Sequence, residues 1–408
     1  MKSNYRRLGD YIKELKVRNT EEKAEQLLGI NIDKFFMPSV ANVVGTDLSV
    51  YKMVRKNQFA CNRMHVGRDY RLPISMSKSD EEFMVSPAYD VFEIIDTKVL
   101  NPEFLMMWFT RREFDRNAWF YTDADVRGGL SWKSFCDMQL PIPHLEKQIE
   151  IVKEYNVIQD RIDLNQQLIQ KLEETAHAIY KQWFVDFEFP DENGKPYKSN
   201  GGEMAESKFG EIPQCWKVMS LDEVTVRITD GSHTSPSSVV EGFPMASVKD
   251  MYDWGLNLST SRKISKSDYD KLVISDCKPL KDDILIAKDG SFLKHIFVVY
   301  ETEEVVILSS IAIIRPNHEF NSNQLALYLK LESTKKRMMN VVNGAAIQRI
   351  ILKEFKKILV IVPNKPVQIK ASLLIDPILK ECWRKSKENQ KLTELKSLLL
   401  SKLATIES

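Results

Sequence analysis

The sequence predicts an α/β protein laid out as an imperfect tandem. Two mixed α/β domains are each followed by one long helix, and the two helices pair antiparallel as a coiled coil, with a pseudo-two-fold relation between the halves. Three observations predict this. A shift of 220 residues lays much of the second half on the first. Two long segments carry apolar residues at heptad spacing. The remaining stretches hold short β-branched apolar runs and capped helix starts, which suit mixed sheet-and-helix domains.

At the 220-residue offset Asn101 falls on Asn321, Leu105 on Leu325, Lys133 and Phe135 on Lys353 and Phe355, and Pro143, Gln148 and Ile149 on Pro363, Gln368 and Ile369. Ile158, Lys171, Leu172 and Glu174 fall on Ile378, Lys391, Leu392 and Glu394. The implied order is a first globular segment over 1–143, a helix over 144–187, a connector over 188–211, a second globular segment over 212–363 and a second helix over 364–408. In the first helix Ile158, Ile162, Asn165, Ile169, Leu172, Ala176, Ile179 and Trp183 follow a 4-3-4-3 spacing, a seam with one polar position. One polar residue in such a seam fixes register at some loss of stability. In the second helix Ile378, Cys382, Leu392, Leu399 and Leu403 hold the seam, and Lys385, Asn389 and Lys396 interrupt it. At 1.5 Å per residue such a helix is roughly 60 Å long and must bury its stripe on something. The other copy is the natural candidate: residues 144–200 carry 7 basic and 11 acidic side chains, net −4, and residues 364–408 carry 9 and 5, net +4. Antiparallel pairing would leave the globular segments at opposite ends of a rod, although an extended connector could also span more than ~60 Å and return.

Strands are expected at 91–95, 283–287, 296–300 and 305–315, and helices at 102–117 and 322–340. The first of these helices opens on Asn101-Pro102, a cap followed by proline at the first helical position.

Composition narrows the function classes. A hydrophobic content of 43% excludes a disordered chain, and only 15 glycines and 16 prolines exclude collagen-like repeats. Five scattered cysteines (Cys61, Cys136, Cys215, Cys277, Cys382) suit a reducing compartment and offer neither a disulfide framework nor zinc spacing. The N-terminus leads into no apolar signal core, and no stretch reaches the ~18 apolar residues of a membrane span, so the expected location is cytoplasmic. No Gly-x-Gly-x-x-Gly, phosphate-binding loop or Gly-x-Ser-x-Gly elbow occurs, and no Pro-Pro exists to build the loop of an amino-methyltransferase. Pro190–Lys195 resembles a metal-nuclease core only superficially, because its acids sit in one turn-prone loop. No catalytic, cofactor or metal residues are therefore expected.

The overall charge is +1, but local runs differ: residues 52–71 are net +5 and residues 330–337 net +3. One such run is usually a solvated face, whereas one in each globular segment points to phosphates. Candidate DNA-contacting residues in the first segment are Arg55, Lys56, Asn62, Arg63, His65, Arg68 and Arg127. In the second they are Ser232, His233 and Thr234 in the loop Thr229–Pro236, Lys288, Ser291 and Lys294 after a strand, and Gln348 and Arg349. Arg fits guanine and Asn fits adenine because each offers a bidentate edge. Surface ion pairing explains any single one of them equally well.

The connector carries a family resemblance. Trp183-Phe184-Val185-Asp186-Phe187-Glu188-Phe189-Pro190, then Gly201-Gly202-Glu203-Met204, then Phe209-Gly210-Glu211-Ile212-Pro213-Gln214-Cys215-Trp216 resembles the entry to the second recognition domain in specificity subunits of type I restriction–modification systems. Pro141-Ile142-Pro143 leading to Gln148-Ile149, Asp230–Thr234 and Asn62–His65 are similar to stretches of the same family, so the resemblance covers essentially the whole chain. It implies a non-catalytic subunit of a host-defence complex. Two target-recognition domains would each read one half of a bipartite, asymmetric double-stranded DNA target, on a spacer of two antiparallel helices. The resemblance further implies two adenine-N6 methyltransferase subunits carrying S-adenosylmethionine, and two motor-nuclease subunits using ATP and Mg. A coiled-coil scaffold that binds only proteins is the alternative; it explains the helices but not the paired α/β domains.

Overall fold

The structure, a computed structural model, describes residues 5–20, 24–40, 45–123, 129–289, 293–339, 342–343 and 349–405. It forms two units, residues 1–162 with 390–408, and residues 163–389.

Both units are built on one plan. In the first, four antiparallel strands run in the order Ile12–Leu15, Asp90–Ile94, Phe59–Cys61, Ile74–Met76. In the second, the order is Thr225–Asp230, Ile311–Pro316, Ile284–Ala287, Ile296–Val298, again antiparallel throughout. Each unit also pairs an entry strand with a closing strand: Tyr5–Arg7 with Gln139–Pro141, and Lys217–Ser220 with Leu359–Val362. The inward faces are apolar because strand side chains alternate and neighbouring helices cover one side. Phe59, Phe92, Phe104, Phe109 and Phe135 form the centre of the first core, with Phe59 stacked on Phe92 at 5.1 Å.

The repeat extends to individual hydrogen bonds. Gln148 donates through Nε2 to the Val99 and Pro143 carbonyls and accepts from the Asn101 amide, each at 2.8 Å. One repeat later Gln368 donates to the Glu319 and Pro363 carbonyls at 2.9 and 2.7 Å and accepts from the Asn321 amide at 3.1 Å. Both glutamines are buried. Asn101 and Asn321 in turn cap the helices that begin at Pro102 and Ser322. A second pair keeps its bond but exchanges its chemistry. Asn156 donates to the Glu103 carboxylate at 2.7 Å, whereas at the equivalent positions Asn323 donates to the Asp376 carboxylate at 3.0 Å.

Several expected elements are broken where side chains compete with the backbone. The helix expected over 102–117 is two helices, Pro102–Phe109 and Arg112–Phe120. The Thr110 hydroxyl bonds the Met107 carbonyl at 2.7 Å, and Arg111 turns to an extended conformation that lays its guanidinium over Trp108 at 4.2 Å. The helix expected over 322–340 breaks likewise into Ser322–Lys330 and Glu332–Met339, with extended Leu331 between them packed on the core. The strand expected over 305–315 is split into Val306–Ile307 and Ile311–Pro316. The expected connector is not a loose linker. Phe187 and Phe189 are buried beside Trp216, with Phe189 stacked on it at 5.3 Å, and the hairpin Met204–Ser207/Gly210–Pro213 crosses the expected boundary at residue 211.

The long helices are Leu145–Tyr180, extended by a π-helical turn Lys181–Val185, and Lys365–Lys402. Within the second unit Ala176 and Tyr180 are buried in the core with Ile169, Leu172 and Ile179 packed against it. The facing stripe of the second helix is Val367, Ala371, Ile375, Leu379 and Cys382, and Ile378 is only partly buried beside it. Of the polar seam residues, Asn165, Asn389 and Lys396 have facing partners, whereas Lys385 pairs with Glu381 and Glu388 on its own helix. Asn165 donates to Asn389 at 2.9 Å in the second unit, and Lys396 donates to Gln159 at 2.6 Å in the first. With Cys382 against the Ile169 carbonyl in the second unit, and Leu403 in one cluster with Ile151 and Val152 in the first, the helices run antiparallel in each unit. Leu403 is buried in the first core, while Ile158, Ile162, Leu392 and Leu399 are partly buried.

Candidate nucleic-acid interface

In the second unit the strand Thr225–Asp230 ends in a tightly held loop. Gly231 passes so close to the neighbouring chain that a Cβ there would lie 2.1 Å from the Ile307 carbonyl oxygen, which excludes any other residue without a shift. The Ser232 amide donates to the Ile307 carbonyl at 2.8 Å, and the Ser232 hydroxyl is bonded within the turn to Thr234. Ser232 is buried, whereas His233, Thr234 and Ser235 are exposed. Lys288, whose side chain is only 5% exposed, reaches the Asp230 carboxylate at 2.7 Å. The same carboxylate oxygen lies 3.2 Å from His233 Nε2. At the far end of the loop Arg262 donates to the Pro236 carbonyl at 3.1 Å.

In the first unit Asn62 is buried and caps the turn Arg63–His65. Arg63 is drawn inward: Nε lies 2.6 Å from the Asp90 carboxylate, Nη1 donates to the Leu130 carbonyl, and the guanidinium stands 5.7 Å from the Trp132 ring centroid. Burial pushes the Cys61 thiol at this strand end upward, with the Asp90 charge adding to the effect. Arg68 remains outside, and its hydrogen bonds at 2.7 and 2.9 Å hold the Asp69 carboxyl below its usual range. His65 Nδ1 lies 3.1 Å from the same guanidinium.

The remaining candidates are scattered in kind. Arg55 and Lys56 are exposed and paired with Glu82 and Asp80. Such surface pairs contribute about 0–1 kcal/mol, so either cation can exchange its carboxylate for a phosphate at small loss. Lys294 is exposed with no hydrogen bond or ion pair among the described residues. Arg349 is described by its backbone, paired with Asn343, while Arg127, Ser291 and Gln348 lie outside the described residues.

The structure adds residues that the sequence reading missed. Asp90 and Arg262 help to organise the loops, and neither stood out because isolated charges in strands carry no motif; Asp230 stood in the Asp230–Thr234 stretch but not as a brace. In the first unit Met64, Tyr70, Trp119 and Phe120 are exposed, and the Tyr70 ring lies 5.3 Å from that of Trp119. Their signal was the spacing Arg112, Arg116, Trp119, Phe120 on one helical face, hidden by treating 102–117 as one helix. Among the described residues no group of three or more His, Cys, Asp or Glu could hold a metal, and no helix is long and apolar enough to cross a membrane.

A duplicated α/β unit with braced polar loops at one end of each sheet, and paired helices in each unit, defines a two-module recognition protein. Residues 213–396 match the family described as the type I restriction modification DNA specificity domain. The chain is 22% identical over 425 residues to the type I restriction enzyme HindI specificity subunit of Haemophilus influenzae, covering 91% of each. It is 23% identical over 291 residues to the MjaIX specificity subunit of Methanocaldococcus jannaschii, covering 68% of this chain and 64% of that one. The fold is similar to the crystal structure of a type I restriction–modification S subunit from M. genitalium, with a TM-score of 0.55 and 14% identity over 99% of this chain and 96% of that one. The chain is thus similar, over most of its length, to specificity subunits of type I restriction–modification systems.

Proposed function

We propose that this chain sets the DNA sequence specificity of a cytoplasmic type I restriction–modification complex and performs no chemistry itself. Residues 1–143 and 212–363 act as two target-recognition domains, each reading one half of a bipartite, asymmetric duplex target. Residues 144–187 and 364–408 act as spacer helices that bind two methyltransferase subunits, and 188–211 join the two halves. S-adenosylmethionine belongs to those partners, and ATP and Mg to two motor-nuclease subunits.

The observation that carries the reading is that the two units repeat their frame, down to the Gln148 and Gln368 bonds, while presenting different side chains at the sheet ends. The exposed readers are then Arg68, with Arg55 and Lys56 as phosphate contacts, and His233, Thr234 and Lys294. Arg127, Ser291, Gln348 and Arg349 belong to the same proposal. Two features support paired docking of methyltransferase copies. Ile149 and Ile369, one repeat apart, are 49% and 62% exposed on the long helices. An open apolar groove in the first unit is lined by Val157, Ile158, Leu395, Leu398 and Leu399.

The test is co-expression with a methyltransferase subunit followed by genome-wide mapping of methyladenine. A bipartite motif is expected, and replacing residues 212–355 with those of a relative should change one half of it only. Methylation by the purified chain alone, or a change in both halves, overturns the proposal.

A further inference from the structure

We infer that Lys288 is a positioning residue of the second unit: it does not touch DNA, but anchors Asp230 so that His233, Thr234 and Ser235 face the base edges. The inference rests on the reading of this loop as a DNA-facing one.

Burial comes first. A lysine that reads a phosphate keeps its ammonium at the surface, whereas the Lys288 side chain is 5% exposed, hydrogen-bonded to Asp230 at 2.7 Å and with the Asp289 carboxylate 3.8 Å away. A buried ammonium is tolerated only when paired and hydrogen-bonded. The pair sits at one of the two anchors of the loop. Asp230 is the last residue of its strand, the Gly231 backbone packs so close to Ile307 that a Cβ would not fit, and the tip hangs between the Asp230 anchor and the Arg262 bond to Pro236. The Asp230 oxygen that accepts from Lys288 also lies 3.2 Å from His233 Nε2, so one carboxylate orients both the buried cation and an exposed ring.

The first unit carries the same device with other parts. Arg63 pairs with Asp90 and donates to the Leu130 carbonyl, while the Ile350 amide donates to the Lys288 carbonyl at 3.3 Å. Leu130 and Ile350 are one repeat apart and close equivalent two-residue hairpins. In each unit the residue bearing the inward cation therefore also ties down a hairpin beside the candidate DNA surface.

The experiment uses the full chain assembled with its methyltransferase partner, with the methylated motif mapped and DNA affinity measured against salt. Lys288→Met should relax or abolish preference in one half of the motif by tenfold or more, leave the other half intact, and leave the salt slope unchanged. Loss of a phosphate contact would instead lower that slope by about 1 and weaken all sequences alike. Asp230→Asn should reproduce the half-site defect, the double variant should be no worse than either single one, and Lys288→Arg should restore preference. If Lys288→Met does not fold, Asp230→Asn and Lys288→Arg carry the test, since the first keeps the size of the side chain and the second keeps the charge. A lowered slope for Lys288→Met, or tighter DNA binding by Asp230→Asn, shows that Lys288 meets phosphate and overturns the inference. His233→Ala with Thr234→Ala separates the two levels. If that pair leaves the motif unaltered, the DNA-facing reading of the loop falls. If it alters the motif while Lys288→Met and Asp230→Asn do not, only the positioning role falls.

Discussion

Replacing Gln148 by Met keeps the volume of the side chain and removes all three of its polar bonds. The Pro143 carbonyl is then left fully buried without its donor, at about 1–3 kcal/mol. The Asn101 amide and the Val99 carbonyl lie nearer the surface, and water recovers part of their bonding, so each loss is about 0.5–1.5 kcal/mol. The expected destabilisation is about 2–6 kcal/mol in total, or roughly 4–24 °C in melting temperature for a unit of this size. Gln368→Met should lose the same amount within about 1 kcal/mol, because its partners repeat those of Gln148. Gln148→Glu should be worse than Met, since a carboxylate keeps the acceptor for Asn101 but turns negative oxygens on two carbonyls. Urea melts of the full chain and its variants measure all three. A loss below about 0.5 kcal/mol for either Met variant, or a Glu variant as stable as the Met one, would refute the reasoning.

Four further outcomes follow from the same geometry. Ile169→Asp places a charge against the second core and should lower stability by about 3 kcal/mol or more in a urea melt. Gly231→Ala should leave global stability nearly intact but relax sequence preference in one half-site, measured by methylome mapping, because the loop must shift away from Ile307. Substituting both Asn165 and Asn389 by Leu should raise the urea midpoint while impairing assembly with methyltransferase subunits, since a polar pair specifies register rather than strength. Ile149→Asp and Ile369→Asp should each reduce methyltransferase binding without unfolding the chain, read by co-purification and a thermal melt.

The repeat, the heptad helices and the capped start at Asn101 were legible because each depends on spacing along the chain. The Gln148–Gln368 correspondence was visible as a match, although its meaning as a hydrogen-bonded brace was not. Interruptions of elements were less legible. Thr110 and Leu331 end helices through a side-chain bond and a packing contact, neither of which alters the apolar pattern that predicts a helix. The polar seam positions were misread for a related reason. Asn389 and Lys396 look like defects within one helix and acquire partners only when Asn165 and Gln159 face them. For the candidate surface, residue type marked Arg63 and Lys288 correctly as cations near loops, but carboxylates distant in sequence, Asp90 and Asp230, decide which way those cations point.

That last difference bears on the proposal that a duplicated protein reads an asymmetric target. The frame is conserved as bonds rather than as residues: Glu103 with Asn156 becomes Asn323 with Asp376, acid and amide exchanged, and the same two helices stay joined. The loop braces are not conserved in that sense. Arg63 reaches across to the strand that begins at Asp90, whereas Lys288 reaches the end of the strand that closes at Asp230. The exposed residues follow: Met64 and Arg68 stand out in one unit, His233 and Thr234 in the other. Internal cations anchored differently on one frame can thus aim different side chains without disturbing the core. Two halves that fold alike are thereby free to recognise unlike half-sites.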